Sequence, residues 1–201
     1  MRRRALLSSA ALGLAATAGC LGDARQTLSG DIRPDHARLT VHPASARFVR
    51  GGLTADSDDR FRAWLFPEAP PDDRTVFTDA RGVEERREWD NEVHNENYEA
   101  GFTLLVQSRS SRANAHQAEP AFPADPTWTG WRRARFPFEF VRRELDPDDL
   151  PDADRVVSTY LGYFTAETSP TKGTVAVHAG VDGAGMGTLI RDVETRQWEP
   201  P

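Results

Sequence analysis

Glu92, His94 and Glu96 stand at alternate positions in Glu92-Val93-His94-Asn95-Glu96. On an extended strand the carboxylate, imidazole and carboxylate would face one way, a donor set that suits zinc or another transition ion. The competing reading is a solvated turn. Asn91, Asn95 and Asn97 surround the three, and His36, His42, His116 and His178 show none of the short fixed spacings of zinc sites. Asp56, Asp58 and Asp59, with Asp146, Asp148, Asp149, Asp152 and Asp154, offer the hard oxygens that calcium takes. Neither cluster has the glycine and closing glutamate of a helical calcium loop, so salt-facing turns are favoured. No cofactor is implied. Trp128-Thr129-Gly130-Trp131 sets two indoles about a glycine. Side by side and exposed they would make a platform for a sugar ring or a peptide; folded inward they would plug the end of a core. The glycines at 180, 183, 185 and 187 follow a strand signal, but no Gly-Lys-Ser/Thr accompanies them and the helix that should hold a phosphate has no room. They read as a turn leading to a last strand. No Gly-x-Ser-x-Gly elbow is present.

Cys20 is the one cysteine of the chain, so no intramolecular disulfide can form. It follows three arginines, an apolar run over residues 5–18 and the small residues Thr17, Ala18 and Gly19. As a helix that run would be about 21 Å long, short of the roughly 30 Å of a bilayer's hydrocarbon, and its layout is that of an export signal. Arg3-Arg4-Ala5-Leu6-Leu7 resembles the twin-arginine signal, whose route carries folded cargo, and Thr17-Ala18-Gly19-Cys20 resembles a lipobox with threonine where leucine is usual. The resemblance implies a diacylglyceryl group on Cys20 and removal of residues 1–19. Two acyl chains hold a protein at a membrane durably, whereas one holds it marginally. A plain secretory signal with an incidental cysteine is the alternative.

Removing Arg2, Arg3 and Arg4 leaves 22 basic against 31 acidic residues, a formal charge of −9 from Cys20 onward. That balance disfavours nucleic acid and anionic lipid as partners. Lys172 is the sole lysine. Scarce lysine, many aspartates and an Ala/Arg-rich chain resemble salt-adapted proteins, and with the N-terminus they make the chain similar to small twin-arginine-exported lipoproteins of haloarchaea. A high-GC bacterial source would give a like composition. The resemblance covers about the first 23 residues by motif and carries no catalytic or ligand-binding residue with it.

The elements that must position these side chains read mostly as strands. In 134–142, Ala134, Phe136, Phe138 and Phe140 share one face and Arg135, Pro137 and Glu139 the other, a half-buried strand whose proline predicts a sheet edge or a bulge. Similar alternation runs through 61–66, 102–107, 156–164 and 174–178, with shorter candidates at 39–41, 46–49 and 188–191. Proline- and aspartate-rich turns separate them. A helix is suggested only at 79–93, where Val83, Trp89 and Val93 make a poor apolar stripe. Residues 108–130 read as one long loop, a length usually functional or disordered.

The expectation is an all-β chain: residues 1–19 a signal peptide, 20–36 a lipidated cysteine and tether, and 37–201 one antiparallel β-sandwich, immunoglobulin-like or related, with a long central loop. An open barrel would show the same pattern. The expected function is a non-enzymatic binding or envelope-structural role at the outer face of the cytoplasmic membrane, with an envelope protein or a glycan as partner. An extracytoplasmic hydrolase or metal-dependent enzyme is the second reading, since catalytic groups can converge from distant positions. A carbohydrate-binding module using Trp128 and Trp131 is the third.

Overall fold

Phe136 and Phe138 point from one sheet into the space between two, and meet Phe102, Phe164 and Tyr160 of the other at ring-centroid distances of 5.7, 5.7 and 5.0 Å. The computed structural model describes residues 30–112, 119–121, 125–141, 150–180 and 186–195. The chain is mostly strand: β1 (Arg33–Pro43), β2 (Phe61–Phe66), β3 (Gly101–Ser111), β4 (Glu119–Ala121), β5 (Thr127–Gly130), β6 (Arg133–Val141), β7 (Arg155–Thr165), β8 (Lys172–Gly180) and β9 (Met186–Thr195). Among the described residues a helix, α1 (Val83–His94), follows a 3-10 turn at Asp79–Arg81. No helix among the described residues is long and apolar enough to cross a membrane. Arg3, Arg4 and Cys20 lie outside the described residues.

The first sheet runs β1-β7-β3-β2 with every neighbour antiparallel. The second runs β9-β8-β6, with β4 and β5 both against the outer flank of β6. Here the antiparallel expectation holds only in part, because β6 and β8 pair in parallel from Arg133↔Lys172 to Glu139↔His178. Parallel neighbours need a crossover, and β7, a strand of the first sheet, supplies it. A two-residue parallel contact, Trp64↔Glu194 and Leu65↔Thr195, links the sheets along β2 and β9.

The first sheet is buried on both faces. Ala63, Leu65, Leu104 and Phe164 face the second sheet, while Trp64, Phe66, Leu105 and Leu161 face Trp89 and Val93 of α1 with Phe48 and Phe77. This is why 102–107 and 156–164 depart from clean alternation: a strand covered on both sides has no polar face to show. The helix forms where the sequence suggests, and its stripe is short because it buries only Trp89, Asp90 and Val93. Asp90 is placed there by need. Its Oδ1 accepts the backbone N–H groups of Val76 and Phe77 at 2.8 and 3.1 Å, donors that are buried.

The expectations about single elements meet different outcomes. Among the described residues Pro137 has β8 on one side and no strand opposite it on the other, between β5, which pairs as far as Arg135, and β4, which begins opposite Glu139, so the position is a local edge, one of the two the sequence allows. The missing N–H is tolerated where no partner strand stands. Residues 46–49 form a turn and a single bridge, Val49↔Phe77, where a strand was expected. The long loop is interrupted, since β3 continues to Ser111 and β4 and β5 lie within it. At the N-terminal side β1 begins at Arg33 and Ile32 is buried, so strand takes up part of the stretch read as tether.

Candidate functional site

The Glu92–Glu96 segment is helical through His94, so alternate residues do not share a face. Each of the three is engaged separately. Glu92 lies 3.5 Å from Arg38, His94 bonds the carbonyls of Asp90 and Pro71 at 2.7 and 3.3 Å, and Glu96 meets His36 at 2.7 Å. Among the described residues no group of three or more His, Cys, Asp or Glu side chains could hold a metal ion. His36 was the partner sequence spacing could not supply, being 60 residues from Glu96. Its ring also packs on Tyr163 with centroids 5.5 Å apart. Partial burial pulls the imidazole pKa down, but the hydrogen bonds and charges of Glu96 and Asp35 outweigh it and the net shift is upward. The pair favours an imidazolium on the carboxylate.

A second polar constellation is wholly internal. Gln107 Nε2 donates to Thr159 Oγ1 at 2.9 Å, Thr159 Oγ1 lies 3.1 Å from His42 Nε2, and His42 Nδ1 lies 3.1 Å from the carbonyl of Pro43. Gln107 Oε1 accepts the N–H of Leu53 at 2.8 Å. A carbonyl only accepts, so Nδ1 carries the imidazole hydrogen, Nε2 accepts, and the threonine hydroxyl donates to it. Every link is satisfied by one neutral tautomer. Burial, with the charge of Arg81 adding to it, lowers the pKa of His42 to about 4. Because the chain is shut from solvent and fully bonded, it ties β1, β7 and β3 together and presents no group to a substrate. The signal for it in sequence is faint: Gln107 and Thr159 are polar residues in otherwise apolar strands.

The two tryptophans have different surroundings. Trp128 is half-buried against the inter-sheet core, and its Nε1 donates to the carbonyl of Gly30 at 2.9 Å. Trp131 is 85% exposed. It sits with Arg132 in the two-residue turn that joins β5 to β6, where Arg132 takes φ 50° and its carbonyl accepts the N–H groups of Thr171 and Lys172 at 2.9 and 3.1 Å. The hairpin tip is thus fastened to the β7–β8 connection. Arg133 and Arg135 are exposed on the outer face of β6, and Lys172 pairs with Arg133 across β6 and β8. Trp128 is engaged inward while Trp131 projects. What the turn offers is one projecting indole beside a group of cations.

The remaining candidates are dispersed. Asp59 pairs with Arg62 at 3.2 Å, while Asp56 and Asp58 are exposed. Asp146, Asp148, Asp149 and His116 lie outside the described residues, as does most of the glycine-rich loop. An open hollow of about 730 Å³ beside the start of α1 is walled by Arg38, Arg81, Arg87, Glu84, Glu85 and Glu88. Two of these arginines are spent locally: Arg38 bonds Glu88 at 2.8 Å and lies 5.0 Å over the Trp89 ring, and Arg81 bonds Glu85 at 2.7 Å and the carbonyl of Val41 at 2.8 Å. A second hollow of about 630 Å³, with Asp31, Arg33, Glu99 and Glu167 on its walls, adjoins Gly30.

No protein-family model, curated protein or solved structure matches this chain.

Proposed function

We propose that the chain is a lipid-anchored extracytoplasmic protein with a non-enzymatic binding or envelope-structural role, worked through the tip of its β5–β6 hairpin. The observation that carries this reading is Trp131, a large indole 85% exposed on a turn that two backbone hydrogen bonds hold in place. Exposed apolar side chains of that size, pinned to a firm element and rimmed by polar groups, are a common mark of contact surfaces. The polar residues best suited to chemistry bear other loads: His42 in a closed chain, His94 on two carbonyls, Glu92 on Arg38. Cys20 is the proposed acylation site, with Arg3 and Arg4 the export signal, and the composition supports a salt-adapted source. For the architecture we propose a β-sandwich, supported by the facing aromatic rings of the two sheets; its parallel β6–β8 pair makes it a relative of the immunoglobulin arrangement at most.

Cell fractionation of the native chain and a Cys20→Ser variant, with mass spectrometry of the N-terminus, tests the anchor. The native product should begin at an acylated Cys20 and sediment with membranes, and the variant should appear in the medium. A native product that keeps residues 1–19, or begins with a bare thiol, refutes the anchor. Trp131→Ala, which should fold normally, then tests the tip by loss of whatever the native protein retains.

A further inference from the structure

We infer that the β5–β6 hairpin tip is a membrane-surface contact, with Trp131 seated among lipid headgroups and Arg132, Arg135 and Lys172 meeting their phosphates. The inference deepens the reading of a lipid-anchored protein and rests on it. Three observations converge. The first is chemical: an indole and cations on one firm turn are the pairing that settles at a bilayer interface, the amphipathic ring at headgroup level and the cations on anionic groups. Trp131, Arg132, Arg135 and Lys172 are all exposed, and no acid interrupts residues 131–135. The second is positional. Trp128 bonds Gly30, the first described residue, so the chain arriving from Cys20 enters the fold beside this hairpin. Trp131 follows Trp128 by three residues, or about 10 Å of strand. Nine residues lie between Cys20 and Gly30, a span of at most about 35 Å, so an anchor at Cys20 would keep Gly30, and the hairpin beside it, within that reach of the bilayer.

The third is charge distribution. A formal charge of −9 from Cys20 onward would repel an anionic surface if it were spread evenly. It is not. The described acids near Gly30, namely Asp31, Glu99 and Glu167, line the hollow alongside, with Asp31 paired to Arg33 at 3.0 Å, while the turn and the first outward positions of β6, Arg133 and Arg135, are basic. The domain would therefore be oriented, basic hairpin toward the headgroups. At molar salt the screening length falls to about 3 Å, so the arginines would act only in direct contact with phosphate and the indole would supply most of the hold.

The test uses the chain from Cys20 onward, which keeps every described residue, coupled through its one thiol to a maleimide-bearing lipid. Vesicles of phosphatidylcholine with phosphatidylglycerol, or of phosphatidylcholine alone, carry bromines on the acyl carbons nearest the headgroup. The difference between the native chain and Trp131→Phe isolates Trp131 from the other four tryptophans. A blue shift and bromine quenching that vanish in Trp131→Phe, and weaken in Arg132→Glu/Lys172→Glu or on neutral vesicles, are expected. A Trp131 signal the same on vesicles as in solution overturns the inference, as does a signal that responds to soluble oligosaccharides and not to lipid. Because the coupling is chemical, the result does not depend on acylation in the cell. Insertion of the tip with a native N-terminus that carries no lipid would remove the anchor reading alone.

Discussion

The pKa values of His42 and His36 are shifted in opposite directions, the first by burial and the second by its carboxylate partners. His42 is held neutral, its pKa lowered to about 4 from 6.5, so the unfolded chain binds the extra proton first as pH falls. Its contribution is complete above pH 6.5 and is lost between there and about pH 4, a loss on the order of 3 kcal/mol. His36, raised by Glu96 and Asp35, contributes below its ordinary value of 6.5 and loses that contribution as pH rises through the folded pKa. Thermal melts should fall steeply between pH 6.5 and 4 in the native protein, and His36→Gln should flatten only the neutral-to-alkaline limb. A melting temperature unchanged from pH 6.5 to 4 would show that His42 takes up its proton in the folded state without cost. Thr159→Val strands both Gln107 Nε2 and His42 Nε2 and should cost about 1–3 kcal/mol for each group left unpaired, read by denaturant unfolding.

At the level of elements, Trp89 is the largest side chain that α1 buries, beside Asp90 and Val93. Trp89 lies at the centre of a ring cluster with Phe48 and Phe77, at 5.4 and 5.2 Å, so Trp89→Ala should cost about 3–5 kcal/mol. Val83 on the same helix is 48% exposed, and Val83→Ala should change stability by less than about 0.5 kcal/mol in the same titration. At the start of β3 a side chain on Gly101 would run into the Phe164 carbonyl and the Tyr163 ring. Gly101→Ala should therefore loosen the β3–β7 register, seen as faster amide exchange from Gly101 to Thr103. Strand positions were the most legible feature of the sequence: 61–66 is β2 to the residue, and 134–142 overlaps β6 almost throughout. What misled was environment. Alternation foretells one wet face, and Trp64, Leu105 and Leu161 lie under α1 instead. Glu92 and Glu96 were legible as polar, but their partners Arg38 and His36 are on β1, and no local spacing reports a contact across more than fifty residues of chain.

For the whole molecule, the interleaving of β6, β7 and β8 has a consequence for how the protein comes to exist. Neither sheet is made from a contiguous piece of sequence: the first draws on β1, β2, β3 and β7, the second on β4, β5, β6, β8 and β9, and β2 waits for β9. Distant pairings are closed against loop entropy, so refolding should take milliseconds to seconds, longer than a helical domain needs, and stopped-flow tryptophan fluorescence would measure it. A half-synthesised chain has no finished layer to hide its phenylalanines in. If the chain is exported as proposed, it gains from maturing behind the membrane, out of reach of unlike neighbours, and from crossing only once its last strand has been laid down; a threading translocase would have to undo that labour, and a portal for finished goods would not.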